Sequence, residues 1–446
     1  MFFANDSLNK MIRSMNEAAS PIQYNLIICR YNEIGLKSRK VRSRMEQRLV
    51  SHIKKICKRE NLSIVHAQRE WGRFIFEFSL ENMPKALKIF KYIIGLHSFS
   101  PAISVDSSNS SIIEKVKDFA TADIKSGDSF VIRARRVKSH PKTSLEIERE
   151  MGEVVLDTAA KLGREIFVKM KNPTKTIYIE VREAATYFFS KKINTIWGGN
   201  PIEIDKPVIA LWRGDFNDTV AAQLMLRRGS IIFPIIFFDE KNQLFNSPKT
   251  MSSAIEEIKL IAKYLPEPIT VLQLDLHSLG EYLNQISDES VKNILLAYST
   301  MYLLDNLGKE VNFNRELRFN SKDLWIKGIL TSFRLTDSLY CALGQNLTIP
   351  HFMPIIGLSN EMIQDVQIRL NMTSSQTQND EFTVADIVLN HQNGDSFSKI
   401  KPESHQISII KDIKLILEKN VSSELIILLD SIVNQRQKIL VQGSIL

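Results

Sequence analysis

Apolar and polar positions along the chain change period several times, and each change marks an element. Tyr24 to Tyr31 is a mostly apolar run that predicts a strand, and Lys40 to Arg59 has helical spacing with a strongly basic outer face. Ser63 to Ala67 and Arg73 to Phe78 read as strands and Met83 to Ile94 as a second helix, together a small α+β layer unit. Residues 95–190 form another. Phe130 to Ala134 reads as a strand, Thr143-Ser-Leu-Glu146 is a capping box opening a helix that ends near Gly163, and Thr176 to Arg182 with Ala185 to Lys191 reads as a hairpin. Trp197-Gly-Gly-Asn-Pro201 breaks the pattern.

Beyond the break the apolar runs become continuous, as in a parallel sheet covered on both faces. Val208 to Trp212 predicts a buried strand, Val220 to Arg228 a helix closed by Gly229, and Ser230 to Phe238 the next parallel strand. A strand–turn–helix of this kind ordinarily holds phosphate at the helix N-terminus. The doubly wound region is expected over about 205–370, followed by a polar loop over 371–405. Ile407, Ile410, Ile413, Leu415 and Leu417, then Leu425, Ile426, Leu428, Leu429 and Ile432, carry helical spacing and predict a terminal helical hairpin packed on the core or on a partner.

A length of 446 residues fits two to four domains. No apolar run approaches the roughly 20 residues that span a bilayer. The first 22 residues lack an apolar signal core, so the expectation is a cytoplasmic protein with a flexible leader over 1–22 and no membrane. Three scattered cysteines, Cys29, Cys57 and Cys341, make a disulfide framework or a zinc cluster an unfavoured reading. The net charge of +8 is uneven: residues 1–200 hold 35 Lys and Arg against 21 Asp and Glu (+14), and residues 201–446 hold 23 against 29 (−6). The basic half would attract a polyanion; a merely solvated basic surface is the alternative.

Two constellations concentrate that charge. In the first, Gly35 and Ser38 permit a turn before a helix whose start gathers Lys37, Arg39, Lys40 and Arg42. Cations there oppose the helix dipole, which is tolerated when an external anion is the partner. In the second, Arg133 and Arg135 share one strand face opposite Ile132 and Ala134, and Arg136 and Lys138 lie past the buried face. His140, Lys142, Thr143 and Ser144 then sit at the mouth of the next helix, where amides can hold phosphate. Together these are read as an RNA-backbone surface. His140 by itself reads as a turn residue, and no Ser/His/Asp set or metal box is present.

The stretches "RYNEIGLKSRKVRSRMEQRL", "GLHSFSPA", "FVIRARRVKSHPKTSLEIEREMGE" and "NPTKTIYIEVREAATYFFSKKI" resemble the ferredoxin-like and THUMP domains of tRNA 4-thiouridine sulfurtransferases. The likeness runs through "WGGNP" into "VIALWRGDFNDTVAAQLMLRRGS", where that family has its PP-loop ATP pyrophosphatase domain, and reaches "MPIIGLSNEMI". The resemblance implies a multidomain α/β and α+β fold, with a ferredoxin-like and THUMP half followed by a Rossmann-like, PP-loop-type half with terminal helices. The expected layout is leader 1–22, ferredoxin-like domain 23–82, THUMP domain 83–198, PP-loop-like domain 199–395 and helical extension 396–446.

Residue by residue, the resemblance divides. Arg133, Arg135, Arg136, His140, Thr143, Ser144, Glu148 and Arg149 fit the family's THUMP pattern. With the basic constellations, the expected tRNA contacts are Lys37, Ser38, Arg39, Lys40, Arg42, Arg133, Arg135, Arg136, Lys138, His140, Lys142, Thr143 and Ser144. The family's Ser-Gly-Gly-x-Asp-Ser turn is here Arg213-Gly-Asp-Phe-Asn-Asp218, with one glycine left and carboxylates where a phosphate would sit. Ile294 to Leu304 has no basic residue where the family has arginines, and Gly328-Ile-Leu-Thr-Ser-Phe333 keeps only the glycine of Gly-Glu-Ser-Leu-Gly-Gln. Leu211, Trp212, Arg213, Gly214 and Gly328 are thus the remnant nucleotide set, with no catalytic residue and no metal ligand. The expectation is a tRNA-binding protein with a catalytically degenerate PP-loop-like domain, needing no cofactor and acting as a scaffold in tRNA modification. One alternative is an active sulfurtransferase using ATP and Mg2+. Another is a structural subunit binding a catalytic enzyme or sulfur carrier. A homodimer fits either.

Overall fold

The computed structural model describes residues 22–137, 140–183, 185–213, 216–239, 251–310, 325–334, 343–344, 347–370 and 413–442. They fall into two compact units that part between Asn200 and Pro201.

The N-terminal unit begins with β1 (Leu26–Arg30), α1 (Arg39–Arg59), β2 (His66–Glu70), β3 (Arg73–Glu77), α2 (Met83–Phe90) and β4 (Ser98–Val105). These strands hydrogen-bond in the order β2-β3-β1-β4, the ferredoxin-like arrangement. No break in the sheet falls at the expected 82/83 boundary, because α2 and β4 close this βαββαβ unit. β4 serves twice: Ser98–Ala102 pair with β1, and Ile103–Val105 pair with β8. The chain continues with α3 (Asn109–Asp123), β5 (Ser129–Arg136), α4 (Ser144–Lys161), β6 (Phe167–Val168), β7 (Lys175–Val181), β8 (Thr186–Phe189) and β9 (Ile193–Asn194). The sheet thereby runs on as β4-β8-β7-β5-β6.

Its apolar core lies between the sheet and the helices. Ile27, Cys29, Phe74 and Phe76 face Leu49, Ile53 and Leu87, and Ile132, Ile177 and Ile179 face Val116, Met151 and Val155. The period of two places the alternate residues Leu26, Ile28, Ile75, Tyr187 and Phe189 on the sheet's other face. The capping box opens α4 as read from sequence: Thr143 Oγ1 accepts the Glu146 N–H at 3.2 Å and Glu146 Oε2 accepts the Thr143 N–H at 2.6 Å. Gly163, with φ +66, follows the end of that helix.

The C-terminal unit contains β10 (Glu203–Trp212), α5 (Phe216–Arg227), β11 (Ser230–Phe238), α6 (Met251–Ala262), β12 (Ile269–Asp275), α7 (His277–Leu283), α8 (Glu289–Glu310), β13 (Gly328–Leu330), β14 (His351–Phe352), α9 (Asn360–Leu370), α10 (Ser423–Asn434) and β15 (Gln437–Val441). Its sheet order is β14-β13-β10-β11-β12-β15, parallel throughout except for β15. α5 contacts α6 and α9, while α10 contacts α7 and α8, so helices cover both faces. α5 begins at Phe216, four residues earlier than the apolar periodicity predicts, and Gly229 (φ +92) ends it as expected.

The tail differs from its sequence reading. Residues 413–420 and α10 are helical, but the chain then forms β15, antiparallel to β12 from Ile269↔Val441 to Gln273↔Gln437. The leader 1–21, the loop 371–405 and Cys341 lie outside the described residues.

Candidate nucleic-acid interface and the strand–turn–helix site

The first basic constellation forms the start of α1. Lys37, Ser38, Arg39 and Lys40 are exposed and Arg42 is half-buried. Ser38 occupies the N-cap position without a side-chain cap, and no acidic residue stands in the first turn. Among the described residues Lys37, Arg39, Lys40 and Arg42 form no ion pair. Arg42 instead stacks its guanidinium 5.8 Å from the centroid of the Trp71 ring.

The second constellation is only partly free. Arg135 is exposed on β5. Arg133 Nη2 donates to the Met170 carbonyl at 2.7 Å, and Arg136 Nη1 to the Val137 carbonyl at 3.0 Å. Glu148 accepts the Ala134 N–H at 2.8 Å, so it braces the strand. Lys142 pairs with Glu150, whose carboxyl is lowered mainly by that bond. The amide of Lys142 faces His140 Nδ1 at 3.2 Å, which orders the turn. Ser144 is the first residue of α4, and Thr143 is committed to the capping box, so the mouth of this helix is closed by its own side chains more than the sequence implies. Lys138 lies outside the described residues.

The face of the sheet away from the helices carries a charged network that composition does not reveal. Buried Glu180 on β7 accepts Arg73 Nε at 3.0 Å, Arg182 Nη2 at 3.1 Å and Arg30 Nη2 at 3.4 Å. Burial would raise its carboxyl, but the hydrogen bond and charge of Arg73, then the charges of Arg30 and Arg182, hold it down at about 2. Beside it runs a stack: Arg30 lies 4.7 Å over the Phe189 ring, Phe189 stacks on Tyr178 at 4.9 Å, and Lys192 Nζ sits 4.0 Å from the Tyr178 centroid. Burial, then the charges of Arg30 and Arg135, push the Lys192 ammonium down to about 8.

In the C-terminal unit the strand order reverses between β10 and β13, which makes the crevice at their C-terminal ends a topological switch point. Its residues are turned onto one another. Asp218, in the first turn of α5, accepts the Arg213 N–H at 2.7 Å, and Ser332 Oγ donates to its other carboxylate oxygen. Arg213 Nη2 donates to Ser332 Oγ at 3.1 Å, and its guanidinium lies 4.7 Å over the Phe333 ring. Asp218 thereby supplies at the N-terminus of α5 the negative charge that such a terminus otherwise draws from a ligand. Of the remnant nucleotide set, Leu211 and Trp212 are core residues, and Trp212 Nε1 donates to Glu257 at 3.3 Å. A Cβ on Gly328 would come 2.3 Å from the Phe352 ring, so this glycine serves close packing. Gly214 and Asp215 lie outside the described residues. Beside the crevice, His351 Nε2 on β14 and Thr331 Oγ1 just after β13 lie 2.8 Å apart, and burial lowers the His351 imidazole to about 4.

The fold and these two sites define a class: a ferredoxin-like unit sharing its sheet with a second α+β unit, followed by a doubly wound parallel α/β unit. Residues 26–100 match the ThiI ferredoxin-like domain and residues 107–191 the THUMP domain. A probable tRNA sulfurtransferase of Metamycoplasma arthritidis is 30% identical over 346 residues, covering 76% of this chain and 83% of the relative. Another from Methanothermobacter thermautotrophicus is 29% identical over 360 residues, covering 78% and 85%. A third from Methanosarcina acetivorans is 32% identical over 213 residues, so the matched stretch spans 48% of this chain and about half (51%) of that relative. The chain belongs to the tRNA sulfurtransferase family. Among solved structures, a 4-thiouridine synthetase–RNA complex with bound ATP shares the fold at TM-score 0.67 and 17% identity, covering 94% of this chain and all (100%) of the other. PH1313 from Pyrococcus horikoshii does so at TM-score 0.55 and 23% identity, covering 78% and 99%. Among the described residues no helix is long and apolar enough to cross a membrane.

Proposed function

We propose that this chain binds tRNA through its N-terminal unit and that its C-terminal unit has given up ATP-dependent chemistry. It then acts as a cytoplasmic tRNA-binding or scaffolding factor in tRNA modification. The binding half of the reading rests on the THUMP match, on the net charge of +14 over residues 1–200, and on the exposed cations at the start of α1, which form no ion pair among the described residues. The loss of chemistry rests on one observation above all: Arg213 and Asp218, at the two ends of the turn that would cradle phosphate, are hydrogen-bonded to each other and to Ser332. At an effective dielectric near 20, a carboxylate about 4 Å from a phosphate costs on the order of 4 kcal/mol before a cation screens it.

A second reading keeps the enzyme: Mg2+ could bridge Asp218 to a triphosphate, and the relatives named above are probable tRNA sulfurtransferases. Calorimetry with millimolar ATP and Mg2+, together with a pyrophosphate-release assay in the presence of tRNA, separates the two. The scaffold reading expects no heat of binding and no release. Saturable ATP binding that weakens in Arg213→Ala, with tRNA-dependent release, establishes the enzyme instead.

A further inference from the structure

The most exposed tryptophan among the described residues, Trp71, has a solvent exposure of 82% and sits on a turn that is held rigid from several sides. Trp71 and Gly72 form the two-residue link between β2 and β3, with Gly72 at φ +73. The residue before them, Glu70, accepts the Tyr187 hydroxyl at 2.9 Å and lies 3.6 Å from Arg182. The residue after Gly72, Arg73, is locked on Glu180. Arg182 Nη1 also donates to the Trp71 carbonyl at 3.0 Å, and Arg73 Nη1 to that of Gly72 at 2.8 Å. The buried arginine–glutamate network therefore fixes the backbone under an indole left in water. Trp197 and Trp212, by contrast, are core side chains.

A solvent-exposed aromatic on a fixed backbone, next to cations, is the arrangement on which unpaired bases stack. The backbone beneath the indole is already held by folding, so stacking has only the side chain's own torsions left to order. One ring face is next to Arg42, and Arg42 belongs to the α1 start with exposed Lys37, Arg39 and Lys40, none ion-paired among the described residues. We infer that Trp71 and Arg42 form a stacking subsite for an unpaired RNA base, with the α1 cations holding the adjoining phosphates. The inference rests on the tRNA-binding reading and adds to it a contact with single-stranded RNA. An acidic peptide would satisfy the cations but leave the indole without a planar partner.

The test uses the full chain, a short unstructured oligoribonucleotide, and a duplex of the same sequence. Expected are quenching of tryptophan fluorescence by the single strand and loss of that quenching in Trp71→Phe. Trp71→Ala should weaken single-strand binding by roughly 5- to 100-fold, with Trp71→Phe in between. The slope of log K against log salt should stay unchanged in both, because every phosphate keeps its cation. Arg42→Ala should reduce that slope by about 0.7. Duplex binding should change less than about 2-fold in Trp71→Ala, since paired bases offer no free face. If the wild-type chain binds the single strand and Trp71→Ala binds it equally well, the subsite is wrong while the tRNA reading stands. If the wild-type chain binds neither RNA nor tRNA, the tRNA reading itself falls. If Trp71→Ala loses binding of an acidic peptide but not of RNA, the site belongs to a protein partner and the inference is overturned.

Discussion

The Asp218 carboxylate accepts the backbone N–H of Arg213, five residues upstream, at 2.7 Å. With the Ser332 hydroxyl on its other oxygen, this buried group ties the end of β10, the start of α5 and the segment after β13 together. A carboxylate so placed is a structural element of the turn. Asp218→Asn keeps the shape but weakens acceptance from both donors, and Asp218→Ala takes the acceptor from the Arg213 N–H and from the Ser332 O–H. Urea unfolding should register a loss of about 1–3 kcal/mol for the alanine variant, and less for asparagine. Were the carboxylate instead poised for Mg2+, Asp218→Asn would leave stability unchanged and abolish magnesium-dependent nucleotide binding.

Replacing Arg133, Arg135 and Arg136 together with alanine should weaken tRNA binding and make it less salt-dependent. Each phosphate that goes without its cation lowers the slope of log K against log salt by about 0.9 on a duplex. Since Arg133 and Arg136 also hold the carbonyls of Met170 and Val137, the triple variant should also be slightly less stable. Arg135→Ala alone, at an exposed position, isolates the electrostatic part. An unchanged slope in a filter-binding titration of the triple variant would remove this surface from the interface.

Glu180 makes the N-terminal unit sensitive to acid in a defined window. Its folded-state carboxyl is held at about 2, below the roughly 4.3 of an unfolded glutamate. A group lowered in the native state contributes stability in full above its unfolded value, and that contribution is lost as pH falls through the folded one. The thermal midpoint of the N-terminal unit should therefore decline between about pH 5 and pH 2. Glu180→Gln should flatten this part of the profile. It should also cost about 3–5 kcal/mol at pH 7, because Arg30, Arg73 and Arg182 would lose their common partner.

How far the sequence carries toward this picture depends on the range of the interaction. The strand at Phe130, the capping box at Thr143 and the helix terminator Gly229 are local signals, and each occurs where its pattern predicts. Glu180 with Arg30 is not local: 150 residues separate them, and four charged residues scattered through strand patterns read as surface. Trp71 has no periodicity to betray it, since a turn aromatic looks the same whether exposed or buried. At the switch point the sequence reveals the altered turn, Arg213 to Asp218, but not that Ser332 would reach it from 114 residues away. β15 escapes for another reason. Gln437-Lys-Ile-Leu-Val441 is an edge strand that buries chiefly Val441, so its alternation is weak, and the stripe before it extends through it with helical spacing.

That tail supplies the last prediction. α10 turns Leu425, Leu429, Ile432 and Val433 into the core of the C-terminal unit. Tyr302 and Asn306 of α8 both donate to Asp430, at 3.1 and 3.0 Å. β15 then covers the edge of β12 that would otherwise expose a row of free amides and carbonyls. Burying a large apolar side chain is worth about 1.5–3 kcal/mol, so four of them amount to most of the stability of an ordinary domain, about 5–15 kcal/mol. Deleting residues 423–442 should therefore leave a chain that aggregates at the exposed β12 edge. A gentler comparison lies within one helix. Leu429→Ala empties a fully buried position and should cost about 2–5 kcal/mol in chemical unfolding. Ile427→Ala, 70% exposed two residues earlier, should change stability by less than about 0.5 kcal/mol. Equal effects of the two substitutions would mean that α10 does not pack on the sheet unit through this face.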